Sequence, residues 1–304
     1  MPADRLTSSS HITFGRPIDL PASLRMFGRW GDDGVDRWDG QTLTRTVRLR
    51  GAVVPFAAQA AGTEDEPSLD VVATHGESVG ADEVERAIRA TFVVEQRGLD
   101  RLAEADSGVA RLARLYPAIV PVLVPDPFTA LIRSISAQQV NLTWASTIRR
   151  RLAEGYGTRH QVGNAYVYSL EPGRLAAASV EELRALQLTT AKSISVIDSA
   201  RAAQAGELDA IRLAALDDEE LIGHLTRLRG IGRWSAEWFL ARTLGRPRVV
   251  AGDLGVRKAV GRLYGTPAIP SEDEVRRLTE HWGEAATVVQ TLALYDLAES
   301  PPAT

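Results

Sequence analysis

Apolar and polar positions alternate along residues 41–76 with the period of a half-buried strand. Thr42–Leu49 alternates in part, Ala52-Val53-Val54-Pro55-Phe56 follows a glycine, and Leu69–Ala73 follows the loop Gly62–Pro67. From Asp82 the period lengthens, and Val84, Ile88 and Phe92 fall on one helical face. These elements predict an antiparallel sheet packed on a helix, a small α+β domain over residues 1–98, with residues 1–10 as a polar, frayed start. Residues 99–116 read as two short helices split at Ser107-Gly108, and four prolines make residues 117–127 extended. Helical patterns then follow at 128–138, 141–155, 179–187, 190–206, 217–228, 233–244, 254–264, 271–282 and 285–298, with no strand. Three carry a capping signature: Ser179 with Glu182, Asp217 with Glu220, and Ser271 with Glu274. The expected fold is therefore mainly α with a small α+β N-terminal domain, and residues 99–304 form an all-helical domain.

Composition narrows the function classes. The 304 residues are 44% hydrophobic and 24% charged, ordinary for a soluble globular protein of two domains. No run of about 18 apolar residues is present and no basic start leads into an apolar core, so neither a membrane span nor a Sec leader is expected and the cytoplasm is the expected compartment. Zero cysteines exclude disulfides, thiolate zinc sites, cysteine-ligated iron–sulfur clusters and a cysteine nucleophile. The five histidines show no zinc-binding spacing, so no metal is expected on side chains.

The net charge of −4 conceals a local concentration. Residues 226–265 carry nine basic residues against Glu237 and Asp253, a local sum of +7, whereas the other 264 residues sum to −11. Such a segment reads either as a solvated helix face or as the footprint of an anionic partner. Within it lies Leu228-Arg229-Gly230-Ile231-Gly232-Arg233-Trp234-Ser235-Ala236, where one helix ends and another begins almost at once. Two glycines one apart permit a tight turn with positive φ and let backbone approach a phosphate without an intervening Cβ. The unpaired N–H groups of the next helix would then face the anion. The alternative is a plain glycine C-cap. Asp253, in Ala251-Gly252-Asp253-Leu254-Gly255, starts the following helix and reads either as its N-cap or as a carboxylate kept charged for chemistry.

The hairpin followed by Gly-Asp and a basic helix resembles the helix-hairpin-helix–Gly/Pro–Asp superfamily of DNA base-excision glycosylases, in particular the 3-methyladenine DNA glycosylase II (AlkA-type) branch. Phe128–Val140 is similar to the second signature helix of that family, and the N-terminal domain to the extra domain of the branch. The resemblance implies a helix-hairpin-helix glycosylase fold with two helical subdomains flanking an active-site cleft. It implies Asp253 as the catalytic carboxylate, steadying an oxocarbenium-like sugar while a damaged base, an alkylated purine first, is hydrolysed from DNA. Deaminated purines such as hypoxanthine are the alternative substrate, and a non-catalytic DNA-binding protein the alternative function.

The same resemblance places Arg229, Gly230, Ile231, Gly232, Arg233 and Ser235 on DNA, and Trp234, Trp238, Tyr295 and Leu254 around the flipped base. Trp234 and Trp238, four apart on a helix, otherwise read as core packing. Gln138 and Gln139 would fill the gap left by the base, or form an exposed helix end. Strand-cleaving relatives carry a lysine where this chain has Trp234, so no lyase step is expected. No cofactor is implied beyond a Na⁺ or K⁺ on hairpin carbonyls near Leu228 and Ile231. The expected partner is duplex DNA bearing a damaged base, bound by a monomer and with no membrane. Leu254, Leu294 and the stretch Gly283–Thr287 depart from the pattern of the branch, which puts the pocket walls, and hence the lesion, in question.

Overall fold

The structure is a computed structural model and describes residues 5–299. Strands β1 (Arg5–Thr13), β2 (Arg37–Trp38), β3 (Thr42–Leu49), β4 (Ala52–Gly62) and β5 (Pro67–Gly76) form one antiparallel sheet in the order β1-β5-β4-β3-β2. The register sets Ile12 opposite Leu69 and Phe56 opposite Ala73. Ile12, Leu43, Val54, Phe56, Ala58 and Leu69 are each 0% exposed, so the expected alternation does bury one face. The helix Ala81–Arg89 covers that face through Val84 and Ile88, and Phe92 follows with its ring 5.1 Å from Phe14.

Two readings are corrected by the fold. Part of the start expected to fray is β1, paired with β5 along its whole length. Its run Ser8-Ser9-Ser10 carries no apolar signal, because an edge strand is held by ladder hydrogen bonds and needs only Ile12 in the core. The region expected to be all-helical contains a hairpin, β6 (Gly157–Val162) and β7 (Ala165–Leu170), turning at Gly163 with φ +54°. It lies against β3 and β4, burying Val162 and Val167. Its polar first strand, Thr158-Arg159-His160-Gln161, hides the alternation until the sheet supplies a surface. Short helices at Leu20–Leu24, Pro172–Ala177 and Ala210–Ala215 also escape the periodicity. All three capping signatures are formed, each with both reciprocal hydrogen bonds.

Apolar side chains gather in two clusters. One joins the sheet to helices between Pro127 and Leu240; the other unites Leu99–Ile119 with Ala241–Ala293. The helix Arg233–Arg242 belongs to both: Ala236, Phe239 and Leu240 pack in the first, Trp234, Trp238 and Ala241 against or within the second. Among the described residues no helix is long and apolar enough to cross a membrane.

Candidate active site

The hairpin follows from local chemistry. The helix Asp218–Leu225 is capped at Thr226, and Ile231 N–H then donates to Leu228 O at 3.1 Å, closing a turn. Gly230 has φ +76°, whereas Gly232 is extended at φ −97°, ψ 179°. Only the first glycine is therefore required by backbone conformation. It is also required by packing, since an added Cβ would overlap Ser195 Oγ and lie 2.9 Å from Ser195 Cβ. Around Gly232 a Cβ would meet nothing within 4 Å, which leaves its backbone open to approach. Gly230→Ala is expected to cost about 1–3 kcal/mol of stability through positive φ and overpacking. Thermal melting checks this, and adding Ser195→Ala should restore only part of the loss, because the backbone conformation remains wrong for alanine.

Gly232 is the N-cap of Arg233–Arg242 and offers no side-chain cap. The first N–H groups of that helix thus lack side-chain acceptors and point outward with the positive end of the helix dipole. Ile231 is buried at 4% exposure and anchors the turn. Ser235 is buried at 1% exposure, its hydroxyl oxygen accepting from Ser134 Oγ at 2.7 Å, so burial leaves only its backbone to serve an external anion. Of the two carbonyls expected near a cation, Leu228 O already accepts the Ile231 N–H.

The charge of this region changes once the chain is folded. Arg233 pairs with Glu237 and Glu219 at 3.1 and 3.3 Å, Arg246 with Asp218 at 2.9 Å, Arg248 with Asp218 at 3.3 Å, and Arg262 with Asp296 at 3.2 Å. Asp218, Glu219 and Asp296 lie outside residues 226–265, so the sum of +7 overstates the free charge. Arg229 and Lys258 are exposed and form no ion pair among the described residues. With exposed Arg227, which reaches only His224, and half-buried Arg257, which reaches only Pro270 O, they are what remains of the footprint at the surface.

Asp253 caps the helix Leu254–Tyr264. Its Oδ1 accepts the Val256 N–H at 2.9 Å, and its Oδ2 accepts the Trp234 indole N–H at 3.2 Å. The carboxylate is half-buried, and the Trp234 bond ties it to the first turn of the hairpin helix. Capping and presentation toward the hairpin are thus served by different oxygens of one group. Gly252 packs against Trp234 and Glu272, and a Cβ there would stand 3.1 Å from Glu272 Oε2. Glu237, 0% exposed, is braced by Arg233 and by Arg276, and Arg276 also holds Glu272 at 2.6 Å. This ionic chain, buried at Glu237, links the hairpin to the helix Glu272–Thr279; Arg233–Glu237 and Glu272–Arg276 are four apart in sequence, and the link from Glu237 to Arg276 exists only in the fold.

The remaining expected residues distribute unevenly. Trp234 and Trp238 are half-buried on one helical stripe. Leu254 is 54% exposed beside Asp253. Leu294 lies near Gly255, where an added Cβ would be 3.4 Å from Leu294 Cδ2. Tyr295 turns to other partners: Arg25 donates to its hydroxyl at 2.6 Å, and Tyr116 meets its ring edge-on at 5.0 Å. Burial, with Glu299 and Asp19 nearby, raises its phenol pKa against the opposing influence of Arg25 and Arg29. Gln138 donates to Gly230 O at 2.9 Å and so braces the hairpin. Gln139 is exposed with φ +55°, a left-handed conformation uncommon outside glycine. The two glutamines therefore differ: one is engaged, the other projects.

Residues 132–285 match the family described as HhH-GPD superfamily base excision DNA repair protein, and the chain belongs to that family. It is 27% identical over 60% of its length to a DNA-3-methyladenine glycosylase of Bacillus subtilis (strain 168), spanning 61% of that protein. It is 32% identical over 58% of its length to DNA-3-methyladenine glycosylase 2 of Escherichia coli (strain K12), spanning 57% of that one. In fold it is similar to a 3-methyladenine DNA-glycosylase from Archaeoglobus fulgidus, with TM-score 0.81 and 24% identity over 96% of this chain and 99% of that one.

Proposed function

We propose that this protein is a DNA glycosylase that turns a damaged base, an alkylated purine first, out of the duplex and hydrolyses its N-glycosidic bond. The observation that carries this is Asp253: a charged N-cap whose second oxygen is bound to the hairpin helix by the Trp234 indole. The hairpin's open Gly232 backbone and the uncapped N–H groups behind it suit a phosphate, and exposed Arg229 adds charge without reading sequence. The protein would act as a monomer, with the sheet domain at residues 1–98 and the glycosylase domain at 99–304.

When the C1′–N bond lengthens, positive charge develops on the sugar, and the Asp253 carboxylate opposes it electrostatically. The bonding pair leaves with the base, and a water oxygen then bonds to C1′ and gives up a proton. An alkylated purine carries its positive charge before cleavage and departs neutral, so no second acid is needed. Trp234 and Trp238 offer electron-rich faces to such a cation, worth about 0.5–2 kcal/mol. Gln139, projecting from its left-handed turn, suits the vacated place in the stack.

Hydrolysis without strand cleavage is supported by the two lysines. The Lys192 ammonium donates to Ser136 O at 3.0 Å, and Lys258, on the helix that Asp253 caps, is exposed. Duplexes carrying methylated, deaminated and oxidised bases, scored for free base, test the activity. Release of a methylated purine with no borohydride-trapped adduct is expected. Tight, salt-sensitive binding with no base released from any duplex would leave a DNA clamp instead, and a trapped adduct would replace hydrolysis by a lyase step.

A further inference from the structure

The turn that carries Gln139 is held from behind by groups of three separate segments. The helix Pro127–Ala137 ends there, and Gln139 follows at φ +55°, exposed. A left-handed glutamine is unfavourable and persists where surrounding contacts over-determine it. Gln138 supplies one such contact, on Gly230 O. The others converge on Ser136, at 2% exposure. As one of the last four carbonyls of its helix, Ser136 O lies beyond the reach of that helix's own N–H groups. The Lys192 ammonium donates to it at 3.0 Å, from the first turn of the helix Thr190–Gln204.

The Ser136 hydroxyl is held as well. It donates to Arg133 O at 2.8 Å and accepts from Arg149 Nη1 at 3.1 Å. Arg149 Nε in turn donates at 2.8 Å to Asp33 Oδ2, in the sheet domain. Asp33 is fixed by its own loop, its Oδ1 accepting the N–H groups of Val35 and Asp36 at 3.0 and 2.9 Å. Asp33, Arg149 and Ser136 are all buried, so solvent does not loosen this path. Cations suit the C-terminal end of a helix. Here two of them, from different helices, meet on one residue, and Lys192 spends its charge inward on a carbonyl.

We propose that Lys192 and Arg149 are positioning residues for the opening of DNA: gripping the carbonyl and the hydroxyl of Ser136, they hold the turn behind it so that Gln139 enters the duplex in a fixed pose. This rests on the glycosylase reading above and on the place given there to Gln139. A plug held in its final conformation loses little freedom on insertion, so more of the free energy of its contacts goes to keeping the base out of the stack. Bond cleavage at Asp253 is left as it is. The clamp therefore acts on the cost of unpairing and unstacking the damaged nucleotide, and contributes least where that cost is already low. A lesion facing an abasic position has no partner base to give up, and supplies that case.

The test measures single-turnover release of 7-methylguanine from two duplexes, one with the lesion facing cytosine and one with it facing an abasic position. The quantity read is the ratio of the first rate to the second. Gln139→Gly, which suits the left-handed turn and removes the plug, sets the scale. Lys192→Met and Ser136→Ala are expected to lower the ratio about 5- to 20-fold, toward that of Gln139→Gly. Lys192→Arg, which still donates to Ser136 O, should stay within about 2-fold of wild type. Both rates come from one preparation, so loss of folded protein cancels. A ratio unchanged in Lys192→Met and Ser136→Ala, while Gln139→Gly lowers it, would make the clamp a support of the fold alone and overturn the proposal. A ratio unchanged in Gln139→Gly removes the plug, and the proposal with it, while leaving the glycosylase reading intact. Release from neither duplex by the wild type removes the alkylated-purine reading as well.

Discussion

Asp253→Asn is expected to fold as well as the wild type and to release damaged bases at least 100-fold more slowly. The two halves of this result separate the two jobs of the residue. Asparagine is about as good an N-cap as aspartate, and an amide oxygen can still accept the Val256 N–H now bound at 2.9 Å. Thermal melting should therefore shift little, by an equivalent of less than about 1 kcal/mol. The rate depends on charge. A neutral amide beside a developing oxocarbenium ion forfeits its electrostatic stabilisation, about 3 kcal/mol or more by comparison with other groups that act on transition-state charge. Single-turnover base release at saturating enzyme measures the chemical step without the contribution of binding. Equal rates for variant and wild type would reduce Asp253 to a helix cap and remove the catalytic assignment.

Arg133→Met should lower the free energy of unfolding by about 3–5 kcal/mol, measured by urea denaturation at neutral pH. Arg133 Nη1 lies 2.7 Å from both Asp33 Oδ2 and Asp36 Oδ2, two carboxylates at 1% and 3% exposure. Arg149 also holds Asp33, at 2.8 Å, and Arg45 holds Asp36, at 2.5 Å. Removing the shared guanidinium takes one of two arginine partners from each buried carboxylate and leaves carboxylate oxygens without a donor. A loss below about 1 kcal/mol would mean that water or rearranged arginines reach the cluster.

The same cluster carries an acid signature. Burial pushes the Asp33 carboxyl up, but Arg133 and Arg149 outweigh it and hold it at about 2. A carboxylate depressed below its unfolded value near 3.8 contributes stability that is present above pH 3.8 and lost as pH falls toward 2. The effect is not only structural. Arg133 sits on the helix Pro127–Ala137 that ends at Gln138 and Gln139, and Arg149 donates to Ser136 Oγ at 3.1 Å. The N-terminal domain thereby steadies the turn that presents Gln139.

Some of this molecule could be read directly from its residues. The strands β3 to β5, the helix bearing Val84 and Ile88, three capping boxes and the hairpin all depend on neighbours within a few positions, where periodicity and turn chemistry act. The pairing of Gly230-x-Gly232 with an aspartate twenty-one residues after Gly232 was legible through the family resemblance that this spacing carries.

What the linear order could not show are relations between distant segments. The edge strand β1 and the β6–β7 hairpin exist because a sheet offers them ladder bonds and a surface, not because their own patterns demand it. Charge counted along residues 226–265 ignored Asp218, Glu219 and Asp296, which only folding brings alongside. The Trp234–Asp253 bond and the Ser195 wall against Gly230 likewise arise from contact. Local chemistry decided where the hairpin turns and which aspartate caps the helix after it. Long-range packing decided which charges stay free and which glycine is indispensable.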